Sequence, residues 1–249
     1  MIGPGTPVPE RMLDCTKYVP QWLQTCINTH SNCRTPINPE NAVLDYQRSG
    51  AWTTDLPARV IDLGCETNNW HICLRISSPG DKGPYVCLSY TWGDEQPLRT
   101  TTANIKDHMA GIAFDDLPNL FRFVLFVTKN LGIRYIWIDS LCTIQDDRQD
   151  WERESACMDR IYGNSILTLA ATFSLNATNG IVPLNQERYK SHPVRDVDSN
   201  HTAQIYVRNS LHYDENEEKS TSPLRRRGWT FQEYFLSSRI LRFDYGEFV

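Results

Sequence analysis

The segment that decides the fold is residues 133–171, which read IRYIWIDSLCTIQDDRQDWERESACMDRIYGNSILTLAA. It begins with Ile133–Ile138, whose apolar, β-branched and aromatic side chains are typical of a strand buried on both faces. A polar stretch, Asp139–Gln149, follows, and Asp147 or Asp150 is placed to cap the next helix. A second β-prone run closes the segment. The pattern therefore predicts a strand, an acidic loop, a helix and a strand.

One glutamate on this helix does not match its surroundings. Steps of about 100° per residue place Glu154 within an apolar face that also carries Trp151, Met158, Ile161 and Tyr162. A carboxylate that points inward beside a tryptophan has a raised pKa, or it has a partner that offsets its burial. Such groups occur both at functional sites and in structural ion pairs, so both interpretations of Glu154 stay open.

Strand and helix patterns alternate from residue 85 to residue 171. After a loop that extends to Asp115, Asp116 as N-cap and Pro118 in the first turn open an apolar helix that closes before Gly132. The alternation argues for an α/β fold with a mostly parallel sheet, flanking helices and right-handed crossovers. The other predicted elements are strands at Tyr85–Ser89, Ile166–Ala171, Gln204–Val207 and Arg239–Phe243, and a helix at Gly228–Leu236.

The first 83 residues are predicted to form an appendage. Tyr18–Ser31 has a helical pattern, and the β-prone runs Pro57–Leu63 and Trp70–Ile76 are spaced for a hairpin. The turn-rich stretch Ser77–Pro84 then marks a boundary, with residues 1–83 before it and residues 84–249 forming the main domain. The chain stops directly after a strand-like run, and we expect it to be the front part of a longer protein.

Three polar segments follow predicted strands of the main domain. They are Ser89–Asp94, Asp139–Asp147 and Thr172–Asn179. In an open parallel sheet, ligands bind beyond the carboxyl ends of the strands. The helix that carries Glu154 starts from the second segment, so its first turns face the same edge. The sequence therefore predicts a ligand-binding crevice at this edge.

Composition narrows the classes of function. A net charge of −5 gives no reason to expect nucleic acid or an anionic membrane as partner. The chain has no secretory-signal pattern at residues 1–15, so we expect a cytoplasmic protein whose 8 cysteines are reduced. Glycine-rich nucleotide loops, a hydrolase elbow and paired zinc motifs are absent from the sequence. The class of chemistry that remains after these exclusions uses carboxylates, with aromatic and arginine side chains as binding groups.

A weak metal candidate lies in the N-terminal helix. Cys26, His30 and Cys33 share one face with Trp22 and supply three soft ligands. A structural zinc site normally has a fourth ligand and paired spacings, which this segment lacks. Buried thiols and a core histidine are the favoured interpretation, and no metal or prosthetic group is expected.

Three blocks in this chain resemble the signature blocks of the fungal heterokaryon-incompatibility (HET) domain. They are YVCLSYTWGD at residues 85–94, the segment at residues 139–162, and RGWTFQEYFLSSRIL at residues 227–241. Their order and spacing agree with that family over residues 85–249. The resemblance implies a cell-death effector that acts in non-self recognition between fungal strains.

A second, weaker resemblance concerns mechanism. The first block is similar to the opening strand and loop of Toll/interleukin-1 receptor (TIR) domains, and the strand, loop and helix around Trp151 and Glu154 are similar to the segment that holds their catalytic glutamate. The resemblance implies a flavodoxin-like core over about residues 84–171, NAD as substrate and Glu154 as the catalytic residue. Two residues separate Trp151 from Glu154, whereas many TIR domains have three. The candidate substrate-binding residues are Ser89, Tyr90, Trp92, Asp94, Asp139, Ser140, Trp151, Arg227, Trp229, Gln232 and Glu233.

The chemistry of NAD cleavage suits such a crevice. Breaking the nicotinamide–ribose bond builds oxocarbenium character, which a carboxylate in a water-poor pocket stabilises. Trp92 or Trp151 can stack on a ring and Arg227 can contact phosphates, although core packing explains these tryptophans equally well. Ser89 and Asp139 have the alternative role of orienting loops. The opposing hypothesis is a non-catalytic module that self-associates or recruits partners through the same surface; for the enzyme, too, we expect a homo-oligomer.

Overall fold

The computed structural model describes residues 15–30, 54–64, 71–94, 96–181, 192–194, 205–207, 222–224, 227–244 and 247–248. Its strands are β1 (Thr54–Asp55), β2 (Arg59–Asp62), β3 (Cys73–Ile76), β4 (Lys82–Gly83), β5 (Tyr85–Ser89), β6 (Tyr135–Trp137), β7 (Leu167–Ala170), β8 (His192–Val194), β9 (Ile205–Val207), β10 (Ile240–Asp244) and β11 (Glu247–Phe248). Its helices are α1 (Cys15–Thr29), α2 (Ile105–Ala110), α3 (Asn119–Asn130), α4 (Asp139–Cys142), α5 (Arg148–Ser155), α6 (Met158–Asn164) and α7 (Gly228–Leu236).

A seven-stranded sheet forms the centre, in the order β11-β10-β7-β5-β6-β2-β3. The four central strands, β10, β7, β5 and β6, are parallel. Every residue of β5 and β7 is buried, as the apolar runs predict for strands covered on both faces. The predicted α/β fold with a parallel core and flanking helices is confirmed.

Helices cover both faces of the sheet. Phe243 of β10 packs edge-on against Phe123 of α3, with ring centroids 5.2 Å apart. Trp137 of β6 packs against Tyr162 of α6 at 5.6 Å on the opposite face. Helix α7 lies on the α6 face, where the Ser237 and Thr168 hydroxyls are 2.7 Å apart. Helices α6 and α7 therefore stand together over the strand ends that carry the polar loops.

The predicted hairpin forms and joins the main sheet. Strands β2 and β3 are antiparallel partners, and Ile61 of β2 also pairs with Ile136 of β6. The sheet thus continues across the predicted division between residues 83 and 84. The N-terminal helix also forms, as α1, and buries Val19 and Ile27 in the core. The predicted strand at Gln204–Val207 forms as β9, which pairs with β8.

Three local predictions were wrong. The Glu154 helix is two helices, because the backbone bond from the Cys157 N–H turns back three residues to the Glu154 carbonyl and ends α5. The continuous apolar face is therefore broken, and Trp151 is 48% exposed. Asp116 belongs to a separate 3₁₀ turn, and the N-cap of α3 is Pro118, without a side-chain bond. The expected loops at residues 95–115 and 139–147 contain the short helices α2 and α4.

Within the described part of the chain, no helix is long and apolar enough to cross a membrane.

Candidate functional site

Two of the predicted rim loops pack tightly at the carboxyl edge of the parallel strands. Gly93 has φ +72°, and a Cβ there would lie 2.7 Å from both Asn176 Cβ and the Leu175 carbonyl oxygen. Only glycine permits this approach, so the loop after β5 is held against the loop after β7. The approach holds the loop that carries Trp92 in place beside the cavity described next.

A cavity of about 140 Å³ opens at this edge, between the strand ends and helices α5, α6 and α7. A cavity of about 150 Å³ holds a single six-membered ring. The site therefore suits one ring of a ligand, with the rest of a larger ligand outside. The lining residues are Trp92, Trp137, Asp139, Thr143, Gln145, Trp151, Glu154, Ser155, Met158, Arg227, Trp229 and Glu233.

Glu154 lies in the cavity wall, as predicted, and is 7% exposed. Asp147 caps α5 by accepting bonds from the backbone N–H groups of Gln149 and Asp150, which fixes the start of the helix. Glu154 Oε1 lies 3.2 Å from Arg59 Nη2. Its other oxygen, Oε2, has no hydrogen-bond partner among the described residues. The ion pair thus leaves one of the two oxygens uncommitted.

Arg59 connects the hairpin to this site. Its Nε donates to the Cys142 carbonyl at 2.6 Å, and its Nη2 lies 2.5 Å from Asp150 Oδ2. Asp150 also accepts from the Ile144 N–H and from Arg153. Burial raises the pKa of Asp150, but these bonds outweigh burial and leave it below its usual value.

Arg59 offsets the negative charge of Glu154 less fully than that of Asp150. Burial raises the pKa of Glu154; Arg59 opposes this shift and the Asp150 carboxylate adds to it, so the pKa stays above its usual value. One buried guanidinium serves two carboxylates and makes the shorter contact with Asp150. Glu154 is therefore both ion-paired and part of the cavity wall, which combines the two interpretations left open by the sequence.

Glu233 lies in another part of the wall and is 3% exposed. Its Oε2 accepts a short hydrogen bond from the Ser89 hydroxyl at the end of β5. Burial raises the pKa of Glu233 to about 7, with the Asp139 carboxylate adding to the shift and Ser89 and Arg227 opposing it. A carboxyl group that titrates near neutrality is suited to proton transfer.

Asp139 orders the rim as well as lining the cavity. Its Oδ2 accepts from Trp92 Nε1 at 2.9 Å, and its Oδ1 accepts from the Ser140 N–H at 2.6 Å. Burial raises the pKa of Asp139, and Arg227 and Trp92 lower it. Arg227 itself donates to the Tyr90 carbonyl oxygen. The predicted loop-orienting role of Asp139 is thus present, and it fixes Trp92 beside the cavity.

Trp137 was not predicted as a site residue. It lines the cavity and is 1% exposed, yet its indole N–H has no hydrogen-bond partner in the described part of the structure. Buried indole N–H groups normally find a partner. The nitrogen atom is closed off from solvent, so a ligand in the cavity contacts Trp137 through other atoms of its ring. In the sequence, Trp137 is distinguished only by its position near the end of the predicted strand, because the apolar residues around it have the pattern of a buried core strand.

The remaining predicted residues are divided between the lining and positions outside it. Tyr90 and Ser140 are buried behind it, joined by a 3.0 Å hydrogen bond, and Ser89 reaches the cavity only through Glu233. Asp94 is exposed on its loop, and Gln232 is half-buried on α7. Trp151 and Trp229 line the cavity and are 48% and 47% exposed, so neither is a core residue. Burial raises the pKa of Cys142 to about 12, so its thiol is protonated and unreactive near neutral pH.

The weak metal candidate lies only partly within the described residues. Cys26 is half-buried and His30 is exposed, while Cys33 lies outside the residues that the structure describes. No group of three or more possible ligands occurs within the described ranges.

Comparison with known proteins identifies the family. The model of the family described as "Heterokaryon incompatibility protein (HET)" matches residues 85–233, which is more than half of the chain. The chain belongs to this family, as its three signature blocks indicated, and the family suggests a role in heterokaryon incompatibility. No curated protein and no solved structure gave a significant match. The matched range begins after Arg59 and ends at Glu233.

Proposed function

We propose that this chain is a cytoplasmic cell-death effector of fungal non-self recognition that hydrolyses the nicotinamide–ribose bond of NAD. The observation that carries the proposal is Glu154, a buried carboxyl group in the wall of a ring-sized cavity with one oxygen uncommitted. NAD is the substrate in this proposal, and no prosthetic group takes part. The similarity of the β6–α5 segment to the catalytic segment of TIR domains supports the same reaction.

The charge balance around Glu154 suits this reaction. The nicotinamide of NAD leaves as a neutral molecule, so the positive charge moves to the ribose as the bond breaks. Glu154 as an anion stabilises that charge, and it does so more strongly in a cavity that excludes water. Arg59 favours the ionised form while bonding only Oε1. Because Asp150 takes the shorter bond to Arg59, Glu154 keeps negative charge for the substrate.

The size and rim of the cavity suit a dinucleotide. About 140 Å³ accommodates the nicotinamide or the ribose but not the whole molecule. The half-exposed rings of Trp151 and Trp229 at the mouth can stack on the parts that remain outside. Arg227 lines the same cavity and is placed to contact a phosphate.

The test is the loss of NAD with purified protein at high concentration. Glu154→Gln keeps the size of the side chain and removes its charge, and we expect NAD cleavage to fall at least about 100-fold. The matched control is Glu152→Gln on the same helix, because among the described residues the Glu152 carboxylate pairs only with the exposed Arg148. Equal NAD loss from the wild type and Glu154→Gln would remove the assignment of Glu154.

The second candidate function is a non-catalytic module that self-associates. Helix α7 presents Phe231 and Phe235 to solvent at 76% and 78% exposure, with their rings stacked 5.8 Å apart. Exposed aromatic pairs of this kind occur at protein interfaces. In this case the double variant Phe231→Ser, Phe235→Ser loses both self-association and toxicity, whereas Glu154→Gln kills cells as the wild type does. Toxicity that requires Glu154 but not the two phenylalanines excludes this candidate.

A further inference from the structure

Glu233 occupies a position that core packing alone does not require. It is buried at 3% exposure on α7, and among the described residues it forms no ion pair. Among the described residues, the one partner of its carboxyl group is the neutral hydroxyl of Ser89, which donates to Oε2. The other oxygen, Oε1, has no partner in the described residues and is not sealed in the interior. A buried carboxyl group bonded on one side only can exchange a proton with a molecule in the cavity.

We propose that Glu233 is the general base of the reaction and that Ser89 is its positioning residue. This inference rests on the proposed function, and it gives Glu233 a role that neither the sequence motifs nor the family assigns. Glu154 stabilises the charge on the ribose, whereas Glu233 acts on the incoming water. Both side chains line the one cavity, so a single bound sugar is within reach of both.

The bond between ribose C1′ and the nicotinamide nitrogen breaks, and its electron pair neutralises the pyridinium charge. A water oxygen forms the new bond to C1′, and the Glu233 carboxylate takes the proton that this water loses. Nicotinamide and ADP-ribose leave, and Glu233 then releases the proton to solvent.

The other carboxyl groups of the cavity are less suited to this role. Both oxygens of Asp139 accept hydrogen bonds from the rim, from Trp92 and from the Ser140 N–H. Glu154 is held by Arg59, which favours the anion and lowers its affinity for a proton. Glu233 forms no ion pair among the described residues, and only one of its two oxygens accepts a hydrogen bond there.

The surroundings of Glu233 support proton transfer near neutral pH. Its pKa is raised to about 7; burial is the largest cause, the Asp139 carboxylate adds to the shift, and Ser89 and Arg227 oppose it. From the sheet and α6, the groups that face it are Cys87 and Tyr162, both neutral because burial raises their own pKa values well above normal. The base is therefore ionised in a large fraction of molecules at neutral pH and can hold a proton during turnover.

The test compares the wild type with Glu233→Gln and Glu152→Gln in NAD cleavage, with and without sodium azide. We expect Glu233→Gln to lower kcat by about 100- to 10,000-fold, as loss of a general base does. Azide needs no deprotonation, so it restores much of the rate and gives an azido-ADP-ribose that mass spectrometry detects. The wild-type rate rises with pH through about 7, and Glu233→Gln loses this dependence.

Ser89→Ala separates positioning from folding. The Ser89 hydrogen bond lowers the pKa of Glu233, so its loss moves the rise in kcat to higher pH while azide rescue remains unnecessary. Glu233→Gln activity equal to wild type, or a low rate that azide leaves unchanged, overturns the role of Glu233 alone. A wild type that cleaves no NAD under conditions where it is folded overturns the proposed function, and this inference with it.

Discussion

Buried carboxyl groups at the amino and carboxyl ends of the parallel strands have pKa values shifted in opposite directions. At the amino edge of the parallel strands, Asp62 is 6% exposed and receives Arg134 through both oxygens, each at 2.7 Å. Burial raises its pKa, but Arg134 and the Gly64 N–H outweigh burial, so the pKa lies below its usual value. At the carboxyl edge, Asp139, Glu154 and Glu233 line a cavity and have raised pKa values.

This difference separates structural from functional carboxyl groups. At Asp62, hydrogen bonds and nearby arginines outweigh burial and lower the pKa of the carboxyl group. Beside the cavity, among the described residues, the same balance is reached only at Asp150. A carboxyl group with a raised pKa in a cleft is a candidate for chemistry, because its charge destabilises the folded state and core packing does not need that charge. The predictions below test whether the two edges differ in this way.

The largest effect is expected from removing Arg59, the one buried cation of the cavity edge in the described residues. Arg59→Met leaves Asp150 and Glu154 without their shared partner, and breaking a buried ion pair costs about 3–5 kcal/mol. We expect this loss in urea unfolding at pH 7, and a smaller loss near pH 4, where Glu154 is protonated. Arg148→Met is the matched control, because its pair with Glu152 is exposed and worth less than about 1 kcal/mol. A loss of less than about 1 kcal/mol from Arg59→Met contradicts the comparison.

Glu233→Gln is expected to stabilise the protein at alkaline pH. The pKa of Glu233 rises from 4.5 to about 7 on folding. The folded state therefore holds its proton more tightly, and the contribution to stability that is present below pH 4.5 is lost as pH rises through about 7. Glutamine avoids this loss, so the variant gains up to about 3 kcal/mol at pH 8 and little at pH 4.5.

Thermal unfolding across this pH range measures the gain, with Glu152→Gln as the control that shows none. A variant that is less stable than the wild type at pH 8 would show that Glu233 is a structural anchor.

Asp62→Asn is expected to have the opposite effect at the other edge. It removes charge-assisted bonds from Arg134, and the protein should lose about 1–3 kcal/mol at pH 7. Because the folded pKa of Asp62 is lowered, its contribution is present above the unfolded value of about 4 and fades as pH falls through the folded value. Denaturant unfolding at pH 7 and pH 3 checks this, and NAD cleavage should be unchanged. A destabilisation that persists undiminished at pH 3 contradicts the ion-pair explanation.

The smallest effect is expected from Trp137→Phe. The indole N–H has no protein partner in the described residues, so its loss breaks no hydrogen bond, and the space left by the smaller buried ring should cost about 1–2 kcal/mol. The nitrogen is closed off from solvent, so Kd for NAD should change by less than about 3-fold. Urea unfolding at pH 7 and calorimetric titration with a variant that does not cleave NAD measure the two quantities; a rise in Kd of about 10-fold would show that the Trp137 N–H bonds the ligand.

Sequence patterns predicted the parallel core and the edge where the cavity lies, because both follow from local periodicity. The alternation of strands and helices required parallel strands, and parallel strands bring their terminal loops to one edge. The burial of Glu154 also followed from its helical position. Long-range pairing was not accessible in this way: Arg59 is 95 residues from Glu154, and nothing in its own strand marks it as a site residue.

Local errors had equally physical causes. Helix α2 has six residues, too few to establish a helical period, so the sequence pattern predicts loop there. The break between α5 and α6 contains neither glycine nor proline, so the sequence carried no stop signal there. The ion pairs of Glu154 and the hydroxyl partner of Glu233 depend on tertiary packing, and they decide which carboxyl groups keep their negative charge.

The most direct test of the contrast between the two edges is a pH titration of glutamate side-chain carboxyl carbons by ¹³C NMR in the full chain. One glutamate should titrate with a midpoint near 7, and its signal should disappear in Glu233→Gln. If every glutamate carboxyl group titrates below about pH 5, as unperturbed groups do, the cavity edge holds no proton acceptor poised for catalysis and the account is contradicted.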